Sequence, residues 1–146
     1  MFQNKALLLS VRQKYAAKIF SGTKTVELRK YCPKVTKGDI ILVYVTSPVK
    51  ALCAILKVEK TITAELNELW LQVQNEADIT KEEYIDYYNN STDGCGIFFD
   101  EVYIFPSPLN LDTLREMWPR FHPPQGFYYL PSNLYIDVME KIGYYQ

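Results

Sequence analysis

A chain of 146 residues, 48% hydrophobic and 14% aromatic, is sized for one domain with a substantial core and is not disordered. No apolar run reaches the roughly 18–20 residues of a membrane helix, and the short apolar stretch in the opening MFQNKALLLSVRQKY falls short of a secretory leader. The net charge of −1 hides an asymmetry: residues 1–60 hold twelve Lys or Arg against three Asp or Glu, and residues 61–146 hold four against fourteen.

In chain order, Lys5–Val11 is a run of strand length. From Arg12 to Phe20 the apolar set Tyr15, Ala16, Ile19, Phe20 has helical spacing, and Gly22 stops the helix. Thr23–Lys30 reads as a second strand. Pro33 and the TKGD turn lead to the apolar run IILVYVTSPV, a buried strand halted by Pro48. ALCAILKVEK is a long strand that becomes solvated at its end. Leu66, Leu69, Trp70, Val73 and Ala77 then follow an amphipathic helical period. Thr80 with Glu83 is a capping box that opens a further helix with Tyr84, Ile85 and Tyr88 turned inward. CGIFFDEVYIF is a strand closed by PSP. Leu111, Leu114, Met117 and Trp118 mark a short helix ended by Pro119, GFYYL a last strand, and Ser132 the cap of a final helix carrying Leu134, Val138 and Ile142, ended by Gly143. The order of elements predicts an α+β fold, a small and partly closed β-barrel of about five to six strands with inserted and C-terminal helices.

The charge balance of +9 against −10 leaves two arrangements open. Either the halves interleave and the dipole vanishes, or a basic face persists and meets an anionic partner. In the second case the helices of 62–95 sit away from the strand at 23–30. Cys32, Cys53 and Cys95, odd in number and without C-x-x-C, read as reduced thiols in a cytoplasm rather than a disulfide framework or zinc knuckle. The lone His122 offers no second imidazole for a metal or proton relay, so neither a metal nor a cofactor is expected. Phosphate loops, dinucleotide fingerprints, nucleophile elbows and zinc-protease motifs are missing. Asp100 and Glu101 are neighbours on a strand and face opposite ways. Three tyrosine pairs, at 87–88, 128–129 and 144–145, suggest base-stacking platforms, although most such rings are core or surface residues with a wet hydroxyl.

The stretch SGTKTVELRK, residues 21–30, carries more charge than a folding strand requires. Thr25, Glu27 and Arg29 alternate onto one face and Val26 and Leu28 onto the other, with Lys24 just before them. Gly22, Lys24, Glu27 and Arg29 spell G-x-K-x-x-E-x-R. Ser10, Tyr15 and Ala16 precede it on a strand and helix, and Tyr44, Thr46 or Ser47, and Pro48 follow at a strand end. With the late PPQGFYYL, this ordered set resembles the ASCH domain, a branch of the PUA-like superfamily of small β-barrels. The resemblance covers residues 7–58 and roughly 119–130. It implies a single ASCH domain over 1–146 with a helical insertion at about 62–95.

The resemblance implies RNA or a nucleotide-like small molecule as partner and a regulatory place in transcription or translation. The residues expected to line the site are Ser10, Lys14, Lys24, Glu27, Arg29 and Tyr44. A carboxylate beside a forked guanidinium can read one polar edge of a nucleobase. Lys24 supplies a charge for phosphate, and Tyr44 a stacking surface. The blander alternative is a Glu27–Arg29 ion pair with a purely structural duty, though burying such a pair rarely repays its desolvation. Some relatives are similar to acetylcytidine amidohydrolases with a threonine three residues after the motif lysine. Here that position is Glu27, which removes the nucleophile unless Thr25 replaces it. The reading is therefore a binding module rather than an enzyme. The alternative is a hydrolase of a modified nucleoside or of RNA that uses Lys24 and Glu27. A third reading is a protein partner docking on the acidic helical half. Cys53 and Ala54, where relatives often carry glycine, are expected to narrow the cavity floor.

Overall fold

The computed structural model describes residues 6–144; Lys5 and Tyr145, both named above, lie outside that range. Strand β1 (Ala6–Val11) pairs in parallel with β3 (Ile40–Val45), Leu8 opposite Leu42. Both strands are covered on both faces, which is why they read as unbroken apolar runs. Leu7, Leu9, Val11, Ile41, Val43 and Val45 enter one core, while Ala6, Leu8, Ile40, Leu42 and Tyr44 enter another on the opposite face. Helix α1 (Gln13–Ser21) follows β1 and ends at Gly22, whose φ of 87° is the left-handed cap that glycine adopts without strain. Strand β2 spans Val26–Arg29.

The longest strands are β4 (Ala51–Glu65) and β5 (Asp93–Asn110), an antiparallel pair with three register shifts. Such bulges bend and twist a sheet. With β6 (Phe127–Tyr129) they complete a six-stranded curled sheet of order β2-β5-β4-β3-β1-β6, a half-barrel of PUA-like form. Among the described residues five helices dress it in an α+β arrangement. Helices α2 (Leu66–Val73) and α3 (Lys81–Tyr87) close a third core, where Val26 and Leu28 of β2 meet Leu69, Val73, Tyr84 and Tyr88. Gly94 lets the Tyr88 ring lie against β5, since a Cβ there would stand 2.6 Å from the ring. Helices α4 (Leu111–Met117) and α5 (Ser132–Ile142) pack on the second core through Leu114, Val138 and Met139. Among the described residues no helix is long and apolar enough to cross a membrane.

Five expectations need correction. Ile85 of α3 does not turn inward with Tyr84 and Tyr88 but is exposed. β4 continues to Glu65 before the helices begin, because Thr61–Glu65 keeps pairing with β5. The PSP segment does not close β5. Pro106 and Pro108 lie inside it, where the register jumps from Ala54↔Ile104 to Leu52↔Leu109, and a bulge relieves proline of any duty to donate. Ser132 is the first helical residue, not the cap: Pro131 holds the cap position and its carbonyl accepts from Leu134 and Tyr135. Finally, Cys32 and Cys95 are disulfide-bonded, with Cα atoms 5.2 Å apart, while Cys53 is free and buried. The pairing Arg29↔Cys95 between β2 and β5 brings the two cysteines together, and no spacing in the sequence announces it. Cys32 and Cys95 are therefore not the reduced thiols expected.

Candidate functional site

The curl of the sheet brings its ends together. β2 begins the strand order and β1 lies at the far side of it, yet Arg29 Nη2 donates to the Ser10 carbonyl at 2.7 Å. Over this seam opens a cleft of about 490 Å³, within the range of small-ligand sites, roughly 300–1,000 Å³. Ser10 and Arg12 from the end of β1, Tyr15 from α1, Lys24 and Glu27–Tyr31 from the motif segment, and Gln125–Phe127 form its walls.

Strand alternation turns Val26 and Leu28 into the third core and leaves Glu27 and Arg29 facing the cleft. Arg29 Nη2 also donates to Glu27 Oε2 at 2.6 Å. Lys24 Nζ stands 3.8 Å from Glu27 Oε1, donates to the Ala77 carbonyl at 2.8 Å and lies 5.4 Å from the Tyr15 ring centroid. The three charges form one continuous set, in which Lys24 (2% exposed) and Glu27 (6%) are buried and Arg29 is partly exposed. Desolvation lowers the Lys24 pKa below 10.5, with Lys18 and Arg29 acting in the same sense and Glu27 opposing. Arg29 Nε is buried and has no hydrogen-bond partner among the described residues. A buried donor without an acceptor is costly.

The residues singled out from the sequence do not all converge. Ser10, Lys24, Glu27 and Arg29 line the cleft. Ser10 gives its carbonyl to Arg29 and donates from its hydroxyl to the Pro124 carbonyl at 2.6 Å. Lys14 stays at the rim, largely exposed, and is ion-paired at 2.7 Å with Glu83 of α3. Lys24 is too buried to be a free charge for phosphate, since its ammonium already serves Ala77 and Glu27. Tyr44 is elsewhere: it is 2% exposed, packs against Phe121 and belongs to the second core. The even-numbered side chains of β3 all face that core, which rules it out as a stacking surface in the cleft. Cys53 and Ala54 sit in the first core and do not line the cleft.

The acidic half does not stand clear of the motif. Ile79, Glu83 and Tyr87 line the same cleft, Lys18 Nζ lies 3.9 Å from Asp78, and Lys30 Nζ stands 5.4 Å from the Tyr87 ring centroid. The expectation that the helices sit away from the strand is overturned, because Val26 and Leu28 need an apolar cover that α2 and α3 provide. The cleft remains cationic, with Arg12, Lys24, Arg29 and Lys30 against Glu27 and Glu83. Arg12 and Tyr87 are cleft residues that motif reasoning missed, and Thr46, matched at the strand end, lines the cleft without having been expected there. Arg12 directly follows β1, and Tyr87 was visible only as half of a tyrosine pair. Glu83 drew notice for its capping duty, which it does perform (Thr80 N–H to Oε1, 3.0 Å).

Known proteins agree with this architecture. The ASCH domain family model matches residues 9–102. An ASCH domain-containing ribonuclease of Zymomonas mobilis subsp. mobilis is 32% identical over 126 residues, covering 86% of this chain and 84% of that protein. The crystal structure of ASCH from Zymomonas mobilis superimposes with a TM-score of 0.88 at 28% identity, covering 94% of this chain and 96% of that one. The large ribosomal subunit protein uL22 of Ureaplasma parvum serovar 3 is 26% identical over 127 residues, where 86% of this chain matches 39% of that protein. The matched motif strand, the seam it closes and the length over which these relatives align lead to one conclusion: the chain belongs to the ASCH domain family.

Proposed function

We propose that the cleft binds a nucleotide unit of RNA. The observation that carries this is the Lys24–Glu27–Arg29 charge set on the wall of the cleft. Glu27 accepts and Arg29 donates, so together they can read the polar edge of an unstacked base. Tyr15, Tyr87 and Phe127 offer ring faces, and the exposed Arg12 and Lys30 are placed for phosphate. The name of the Zymomonas relative supports RNA as the polymer. A regulatory role in transcription or translation belongs to the same reading. So does a cytoplasmic site of action, now without the thiol argument. The test is fluorescence anisotropy of a labelled single-stranded RNA across a salt series. Binding should weaken with a log–log slope of about −0.7 per neutralised phosphate, and Arg29→Lys should cost about tenfold in affinity. Salt-independent binding, or none, would sink the reading.

A second reading, cleavage of RNA, is favoured by the Lys24–Glu27 pair, an ammonium 3.8 Å from a carboxylate on the wall of the cleft. In it the 2′-oxygen attacks phosphorus to form a 2′,3′-cyclic phosphate, its proton passes to the Glu27 carboxylate, and the P–O5′ bond breaks as the 5′-oxygen takes a proton from the Lys24 ammonium. Incubation of end-labelled RNA, resolved on a denaturing gel, should then show products that Lys24→Met abolishes.

A further inference from the structure

β6 is an edge strand of three residues, and consecutive side chains on it face opposite ways. Phe127 lines the cleft described above. Tyr128, next in the chain, lines a second and shallower cavity of about 530 Å³ together with Trp118, Arg120, Phe121, His122 and Leu134. The two cavities share the segment between α4 and β6. Its far end is pinned at the first cleft, where Ser10 N–H donates to the Gly126 carbonyl and Ser10 Oγ to the Pro124 carbonyl.

The chemistry of the second cavity is that of a base site. Trp118 and Phe121 rings stand 5.6 Å apart, and His122 and Tyr128 6.3 Å apart in an edge-to-face pair. Trp118 Nε1 is buried and has no hydrogen-bond partner among the described residues. The indole lines the cavity and presents an aromatic surface on which a base can stack. Among the described residues that line the cavity none is acidic. Residues 61–146 contain only four Lys or Arg, yet Arg120 lines this cavity and Arg115 donates from Nε to the Phe121 carbonyl at 3.2 Å. Arg120, on the cavity wall in an otherwise acidic half, is complementary to phosphate.

We infer that this cavity is a second subsite for an unpaired nucleobase, occupied by the same RNA strand that enters the cleft and crosses the β6 edge between them. The inference rests on the RNA reading of the cleft and extends it from one nucleotide to a strand path. Trp118 reports on it directly. With Trp70→Phe, Trp118 becomes the sole tryptophan of the chain, and a stacked base quenches its emission.

The probe is a labelled oligouridylate of about ten nucleotides, a length within the footprint of single-strand binders. Anisotropy follows binding and Trp118 emission follows the subsite. Quenching should saturate together with anisotropy, whereas uridine monophosphate should quench only at far higher concentration. Trp118→Phe should weaken oligomer binding about threefold to tenfold. Arg120→Ala, at an exposed position where folding is not at stake, should weaken it and reduce the salt slope by roughly one. Oligomer binding with unchanged Trp118 emission, or quenching by the mononucleotide at oligomer concentrations, would overturn the strand path and leave the cleft reading standing. Absence of oligomer binding altogether would overturn both.

Discussion

Lys24 is a cation almost without contact with water, and its place in the fold makes it testable by pH as well as by mutation. Burial lowers its pKa, so between that value and 10.5 the unfolded chain holds a proton that the folded chain has released. Stability contributed by this group therefore rises with pH across that window, and its burial penalty is full below it. Lys24→Met should keep the fold, flatten this alkaline slope in denaturant titrations, and weaken RNA binding about tenfold by disturbing Glu27. Unfolding of the variant at room temperature would instead assign the set a structural duty. Thr25 bears on catalysis. Its amide donates to the Glu76 carbonyl and its carbonyl accepts from the Phe99 amide, and it is absent from the residues lining the cleft. Deacetylation of acetylcytidine should accordingly be absent in the wild type, because a carboxylate held at 2.6 Å by Arg29 occupies the position where a hydroxyl nucleophile is needed. Robust turnover lost in Thr25→Ala would refute this.

At the scale of the element, α3 is a short helix stabilised at its N-terminus and used as a wall. Thr80 Oγ1 accepts from the Glu83 amide and Glu83 reaches back to the Thr80 amide. Thr80→Ala should cost about 1 kcal/mol and weaken RNA binding as well, since Glu83 and Tyr87 line the cleft. Chemical denaturation and anisotropy on one preparation would check both. The hydrogen bond from Lys14 draws the Glu83 pKa down to about 2 from 4.5. A carboxyl with a depressed folded pKa stabilises above its unfolded value and loses that contribution as pH falls from about 4.5 to about 2. Glu83→Gln should thus be less stable than the wild type at neutral pH and converge with it near pH 2. Divergence that persists in acid would point to a cause other than ionisation.

For the whole molecule, the decisive feature is the seam. An open sheet leaves two edges; here the curl sets β2 against β1, and Arg29 ties them through Ser10. The Tyr88 hydroxyl donates to the Arg29 carbonyl at 2.9 Å and contacts the Cys95 carbonyl at 3.3 Å, beside the Cys32–Cys95 bond. That bond spans 63 residues, a separation for which chain-entropy arguments give about 4 kcal/mol. The Cys32→Ser, Cys95→Ser double variant should lose stability of that order and match the reduced wild type in thermal melts. A wild type indifferent to reductant would show that the bond contributes nothing to the fold.

Much of this protein was legible without coordinates because the signals are local. Gly22, the Thr80–Glu83 box and the period of α2 are written within a few residues, and β1 and β3 announce their two-sided burial as unbroken apolar runs. Alternation likewise separated Glu27 and Arg29 from Val26 and Leu28. Tertiary structure decided what depends on long-range register and packing. It put Tyr44 in a core because its strand is covered on both faces, joined Cys32 to Cys95 through β2–β5 pairing, and passed two prolines through a bulge. It also drew an acidic helix over a basic strand, because the buried face of β2 needs an apolar partner and the sequence alone does not say which segment supplies it.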